Sequence, residues 1–113
     1  MHEYSLVEAI MERVVAEARA RNALSVHRVS VRVGALAGVE PELLVTAFEI
    51  WREGTGCSDA VLDVVRVPAE WVCVSCRLAI PEGEVLACAS CGGRVRLAAG
   101  DELLLDRIEM EVP

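Results

Sequence analysis

Behind Ser5, apolar side chains recur at three- and four-residue steps: Leu6, Val7, Ile10, Met11, Val14, Val15 and Ala18. That spacing lines one face of an α-helix, and Glu8, Glu12, Arg13, Glu17 and Arg19 fill the other. Ser5-Leu6-Val7-Glu8 reads as a capping box, in which the hydroxyl takes a free N–H of the first turn and the carboxylate reaches back. The pattern predicts a helix from Ser5 to about Arg21-Asn22, with the first four residues ahead of it. From Val26 to Gly34 the period drops to two, Val29, Val31 and Val33 alternating with Arg28, Ser30 and Arg32, which predicts a half-buried strand. A loop of small residues, Gly34 to Gly38, leads to Glu40-Pro41-Glu42. Proline in the first turn and carboxylates at the positive end of the dipole both favour a helix start there. Leu43, Leu44, Ala47, Phe48, Ile50 and Trp51 are its expected buried stripe, and Gly54 its expected stop.

A second β-rich run covers Val61 to Val67 and stops at Pro68; its partial alternation predicts a strand covered on both faces. Residues 71–97 form a distinct segment punctuated by Pro81, Gly83, Gly92 and Gly93. Beyond it, Leu104, Ile108, Met110 and Val112 alternate with Leu105, Arg107, Glu109 and Glu111 as a final strand. The intervening segment is too small to offer that strand a sheet with a good face, so the strand is expected to return to the first domain. The predicted fold is α+β: a small mixed sheet of about three strands, two helices, and an inserted metal module of treble-knuckle or ribbon-like form. The expected domains are residues 1–70 plus 98–113, and residues 71–97.

That inserted segment carries the clearest chemistry. Cys73 and Cys76 form one C-x-x-C pair and Cys88 and Cys91 a second, with eleven residues between the pairs. Each two-residue gap lets a tight turn aim both sulfurs at one ion, and two such turns complete the S4 tetrahedron preferred by structural Zn²⁺. Four sulfurs close the coordination shell, so the zinc expected here is structural. The module holds too little apolar surface to fold unaided, and metal binding supplies much of its folding energy. A redox dithiol is the rival reading, but it needs one reactive pair near a helix start. Cys57 stands apart and reads as a small buried hydrophobe.

Composition narrows the function. Eighteen acidic side chains stand against eleven basic ones, all arginine, for a formal charge of −7 and a pI near 4.8. Zinc on four thiolates takes that charge to −9. Residues 71–97 carry only Arg77, Arg94 and Arg96 against Glu82 and Glu84. This is far from the basic face that grips nucleic acid, so no nucleic-acid partner is expected. No apolar run approaches the roughly 20 residues of a membrane span, and no membrane partner is expected either. Nothing at the amino terminus resembles a secretory signal, which predicts a cytoplasmic protein, and unpaired cysteines suit that compartment.

The other unusual feature is Met1-His2-Glu3. A histidine near a chain end is usually only solvated. Here, with Met1 retained, the α-amine, the His2 amide nitrogen and the His2 imidazole lie within chelating reach. The Glu3 amide can complete four nitrogens around a metal that accepts square-planar geometry, chiefly Ni²⁺ or Cu²⁺. Such a site must lose amide protons, so its affinity falls as pH drops. His27, at the start of a strand, reads as a surface or satisfied core residue.

Met1-His2-Glu3-Tyr4-Ser5, the stretch Gly34-Ala35-Leu36-Ala37-Gly38-Val39-Glu40-Pro41-Glu42, the two C-x-x-C pairs and Gly100-Asp101-Glu102-Leu103 occur in that order. Together they resemble the HypA/HybF family of hydrogenase-maturation nickel metallochaperones, over essentially the whole chain. The resemblance implies a nickel-binding α/β domain and a structural zinc domain. It implies His2 as the essential nickel ligand, with Met1 through its amine and Glu3 beside it, and Cys73, Cys76, Cys88 and Cys91 as zinc ligands. It further implies a GTPase partner and delivery of Ni²⁺ to the large subunit of [NiFe] hydrogenase and, in some organisms, to urease. No histidine stands beside either cysteine pair, which argues against a metal or pH sensor in the module. With no nucleophile–base constellation in the sequence, a carrier is expected rather than an enzyme. The competing class is a zinc-stabilised protein–protein interaction module that transfers no metal.

Overall fold

In the computed structural model, residues 3–53, 55, 57 and 59–113 are described. The elements are α1 (Glu3–Ala20), β1 (Ser25–Gly34), α2 (Pro41–Arg52), β2 (Val61–Val67), β3 (Glu70–Cys73), β4 (Ala79–Pro81), β5 (Val95–Ala99) and β6 (Leu103–Glu111). They build two three-stranded sheets, ordered β2-β1-β6 and β4-β3-β5. By packing, the chain divides into two compact units. One holds Met1–Arg32, Val39–Val65 and Leu104–Pro113; the other holds Val33–Gly38 and Arg66–Leu103.

In the first sheet β1 is central. Its Val26, Val29, Val31 and Val33 are buried, with Val7, Met11 and Val14 of α1 and Leu44, Ala47 and Phe48 of α2 also in the core. Leu24 N–H donates to Glu111 O at 2.7 Å and Gly34 N–H to Glu102 O at 2.8 Å, so β6 runs antiparallel to β1. Arg28 pairs with Asp63, and Ala35 N–H donates to Val67 O at 2.9 Å, a register that rises together and makes β2 parallel to β1. Helix α2 is the crossover that a parallel pair requires. The sheet is therefore mixed, and its last strand is the chain's last strand, as the sequence predicts. Arg28 also bonds Glu109 on β6 at 3.2 Å, tying the central strand to both neighbours.

Four local expectations are corrected. Glu3 and Tyr4 are already helical, so Ser5 is an exposed residue inside α1 and not its cap. Nothing at positions 3–4 breaks a helix, and Glu3 suits the positive end of the dipole. Strand β2 is a sheet edge, with only Leu62 buried, so its partial alternation reflects exposure and not double cover. In β6 the half-buried apolar positions are Leu103 and Leu105, then Ile108 and Met110, while Leu104 and Val112 are exposed; the apolar phase slips around Asp106-Arg107. In α2, Leu43 and Ile50 are exposed while Leu44, Ala47 and Phe48 are buried. The end of α2 falls at Arg52, with Glu53 extended behind it; the expected stop at Gly54 lies outside the described residues.

The second unit has a three-stranded sheet of its own, in keeping with the ribbon-like alternative expected for the metal module. β3 pairs antiparallel with β4, Trp71 opposite Ile80, and with β5, Trp71 opposite Leu97 and Cys73 opposite Val95. Two stretches far apart in sequence cross at van der Waals limits in this unit. A Cβ on Gly34 would lie 2.2 Å from the carbonyl carbon and oxygen of Gly100, and one on Gly100 would lie 2.6 Å from the Ala69 Cα. Leu36 N–H donates to Gly100 O at 2.7 Å, so the contact is hydrogen-bonded as well as tight. Glu82 secures the same region: it accepts from the Ala69 N–H at 2.6 Å and pairs with Arg66. The Arg66 guanidinium and the Ala69 N–H hold the Glu82 carboxyl below its ordinary range.

Candidate metal centre

Strand β3 ends at Cys73, and the turn that follows carries Cys76; the turn before β5 carries Cys88 and Cys91. The turns are built alike. Arg77 N–H donates to Cys73 O at 3.0 Å and Gly92 N–H to Cys88 O at 2.8 Å. Cys76 N–H points at the Cys73 sulfur and Cys91 N–H at the Cys88 sulfur, each at 3.5 Å. Both read C-x-Ser-Cys, with Ser75 and Ser90 at matching positions. The residue after each second cysteine is left-handed, φ +63° at Arg77 and +68° at Gly92.

The four sulfurs converge to within 4.8 Å of one another, with Cys73 to Cys91 at 3.5 Å and Cys76 to Cys88 at 3.3 Å. All four are free thiols. A tetrahedron of Zn–S bonds of about 2.3 Å has sulfur–sulfur edges of about 3.8 Å, so a zinc ion fits this cluster with little adjustment. The donor set, four sulfurs and no oxygen, selects a soft ion and leaves no site for water. Cys73 and Cys88 are buried while Cys76 and Cys91 are exposed. The N–H groups aimed inward stabilise negative charge. The Cys76 N–H is the main cause that draws the Cys73 thiol down to about 6, and the Cys91 N–H does the same for Cys88 in direction. At Cys76 the strongest single influence, the Leu78 N–H, acts downward, but the crowded Cys88 and Cys73 sulfurs outweigh it and push the thiol up to about 12. At Cys91 the Gly93 N–H acts downward and the Cys73 and Cys88 sulfurs raise the thiol in the same way. Four thiolates cannot crowd so closely without a cation; a divalent metal removes the conflict.

Sequence reasoning missed Arg77. Its left-handed conformation costs roughly 1 kcal/mol for a residue with a Cβ, and the glycine at the matching place in the second turn shows what the geometry prefers. Aligning the two C-x-Ser-Cys turns would have revealed it. Arg77→Gly should raise the stability of the zinc-loaded module by about 0.5–1 kcal/mol, read as a higher urea midpoint at unchanged zinc content. Gly93 acts differently, through closeness: a Cβ there would meet the Cys91 sulfur at 3.1 Å and the Cys73 sulfur at 3.4 Å.

Of the other candidate residues, Glu3 is the first described residue of α1 and half-buried; Met1 and His2 lie outside the described residues. Cys57 is buried in the first unit and is not a member of the cluster, and burial raises its thiol pKa. His27 is exposed on β1, its Nε2 3.3 Å from Ser25 Oγ and 3.6 Å from a Glu111 carboxylate oxygen, a surface arrangement. No helix among the described residues is long and apolar enough to cross a membrane.

An α+β scaffold carrying a closed four-cysteine site defines a small protein with a structural zinc module. The family model described as "Hydrogenase/urease nickel incorporation, metallochaperone, hypA" matches residues 1–110, and the chain belongs to that family. The hydrogenase maturation factor HypA of Acidithiobacillus ferrooxidans is 38% identical over 113 residues, covering 98% of this chain and all of that protein. The factor of the same name from Shewanella oneidensis is 36% identical, covering 98% of this chain and 96% of its own. Among solved structures, the solution structure of the Ni metallochaperone HypA from Helicobacter pylori superposes with a TM-score of 0.73 at 31% identity over the full length of both chains. A second HypA solution structure gives 0.79 at 32% identity, covering 97% of this chain and 96% of that one. Nickel is the cargo this family handles.

Proposed function

We propose that this chain binds Ni(II) at its amino terminus and releases it for the maturation of [NiFe] hydrogenase. The observation that carries the reading is the family match beginning at residue 1, which includes Met1-His2-Glu3. With Met1 as the terminal residue, its amine, the His2 amide nitrogen, the His2 imidazole and the Glu3 amide nitrogen supply four donors in a plane, the geometry of Ni(II). Glu3 stands in the first turn of α1, where N–H groups have no intrahelical acceptor, so helix formation does not consume that donor. The Glu3 carboxylate assists as a second acceptor. Residues 1–70 with 98–113 form the nickel-binding domain. Residues 71–97 form the zinc domain, with Cys73, Cys76, Cys88 and Cys91 as its four ligands.

The protein acts as a carrier and performs no chemistry on its cargo, in the cytoplasm, handing nickel on with a GTPase partner to the hydrogenase large subunit. The relatives named as hydrogenase maturation factors support that acceptor, and the family description adds urease as a second destination. The acidic charge of −7 favours cations and a basic partner.

Calorimetric titration of protein with a native amino terminus should give one Ni(II) per chain. His2→Ala, and separately a Gly-Ser extension before Met1, should each weaken binding by more than about tenfold. Affinity should also fall as pH drops from 8 to 6, because amide and imidazole protons compete with the metal. Equal binding by the wild type and the His2→Ala protein would leave the interaction-module reading in its place.

A further inference from the structure

The apolar stripe of α2 is wider than the fold covers. Leu44, Ala47 and Phe48 are buried and Trp51 is half-buried, yet Leu43 and Ile50 are 54% and 60% exposed. Positions 43 and 50 are seven apart, two turns along one line of the helix, so both side chains stand on the same shoulder. Single exposed leucines are ordinary on protein surfaces. A pair repeating at the helical period beside a stripe already satisfied by the core is the pattern of a helix that receives a second helix.

Next to this shoulder, on the solvent side, run Glu42, Glu49 and Glu53, with Thr46 between them. Glu42 and Glu49 are also seven apart, and Glu53 follows at the end of the helix. Among the described residues none of the three forms an ion pair, and the nearest cation in sequence is committed elsewhere. Arg52 donates to Ala60 O at 2.6 Å and lies over the Phe48 ring, 6.0 Å from its centroid. The helix therefore offers two apolar anchors flanked by an uncompensated row of carboxylates about 16 Å long.

We propose that the Leu43–Ile50 shoulder of α2 is a docking surface for a cationic amphipathic helix of a partner protein. Two apolar side chains of that helix cover Leu43 and Ile50, and its lysines or arginines lie along Glu42, Glu49 and Glu53. Apolar contact supplies affinity, while the charge row sets orientation and speeds encounter. The surface carries none of the residues assigned to nickel or zinc, so it stands or falls separately from the nickel reading.

The test uses the full-length zinc-loaded protein and a fluorescein-labelled 15-residue peptide of leucine and lysine, its leucines at i, i+3, i+4 and i+7, followed by anisotropy. A scrambled peptide of equal composition measures charge alone, and a version with glutamate for lysine measures apolar contact alone. The amphipathic cationic peptide should bind at least tenfold more tightly than either. Leu43→Ser/Ile50→Ser should remove that advantage while circular dichroism and zinc content stay unchanged, as expected for exposed positions. Glu42→Gln/Glu49→Gln/Glu53→Gln should weaken binding and flatten its salt dependence. Unchanged binding by the serine double variant, or equal binding of the scrambled peptide, overturns the proposal. So does self-association of the protein that the serine variant abolishes, because the occupant is then a second copy of this chain.

Discussion

Cys88→Ser protein should emerge from purification with little or no zinc and with residues 66–103 largely unfolded. The sulfur lost is one of the two buried members of the cluster. It stands 3.3 Å from the Cys76 sulfur and receives the Cys91 N–H. Its hydroxyl replacement is a poor zinc ligand and leaves three crowded thiols. Around the cluster the unit offers only a short sheet: of its apolar side chains outside the cysteines, Val33, Ala69 and Ile80 are buried. At about 1.5–3 kcal/mol for a large apolar side chain, these cannot offset the ordering of some forty residues. Structural zinc contributes roughly 10–16 kcal/mol in comparable small modules. Metal analysis together with amide signals from Val72, Ile80 and Val95 measures the effect directly. A dispersed spectrum for these residues without zinc would show that the sheet stands by itself.

Acid should mimic the mutation. The Cys73 thiol lies at about 6, below its ordinary 9.0, so its thiolate contributes stability above the ordinary value that is lost as pH falls through 6. Zinc adds to this in the same direction, since protons compete with the metal for all four sulfurs. Zinc release on titration from pH 8 downward, followed with a chromogenic chelator, should accompany loss of the same amide signals.

The second large effect is expected at a place with no metal. Gly34→Ala should destabilise the protein by at least about 3 kcal/mol, at the severe end for a single methyl group. The added carbon would sit 2.2 Å from two backbone atoms of Gly100, well inside van der Waals contact. Neither partner is a side chain that can turn aside: Gly100 O accepts the Leu36 N–H, and Gly100 is itself pressed against Ala69. Relief would require the segments around 34, 69 and 100 to separate. Gly38→Ala makes the control. Unlike Gly34 it sits at positive φ, +74°, but nothing lies within 4 Å of its Cβ position, so it should cost only about 1 kcal/mol. Urea midpoints of the two variants, compared at full zinc loading, separate close approach from backbone conformation. Similar losses in both would refute the crossing as the cause.

These two sites differ in how legible they were. The zinc cluster could be read from spacing, because a C-x-x-C turn is local: its residues, its hydrogen bonds and the aim of its sulfurs are all set within five positions. The strongly periodic elements were legible for the same reason. The α1 stripe, the alternating valines of β1 and the proline-started α2 each carry their signal within one segment. The glycine crossing was visible only as two small-residue stretches in the quoted family resemblance. Nothing local says that Gly34 and Gly100 meet, since sixty-six positions separate them and only the tertiary pairing of β1 with β6 brings them together.

The sequence by itself thus determined the donor set, the helices and the mixed sheet to which the last strand returns, because hydrophobic period and ligand spacing act over short stretches of chain. Tertiary structure alone decided which apolar positions are used. It left Leu43 and Ile50 of α2 uncovered, made β2 an edge and slipped the phase of β6. It also gave the zinc-bearing unit a sheet of its own. Burial depends on what a neighbouring element covers, and a residue's periodicity records only which way it faces.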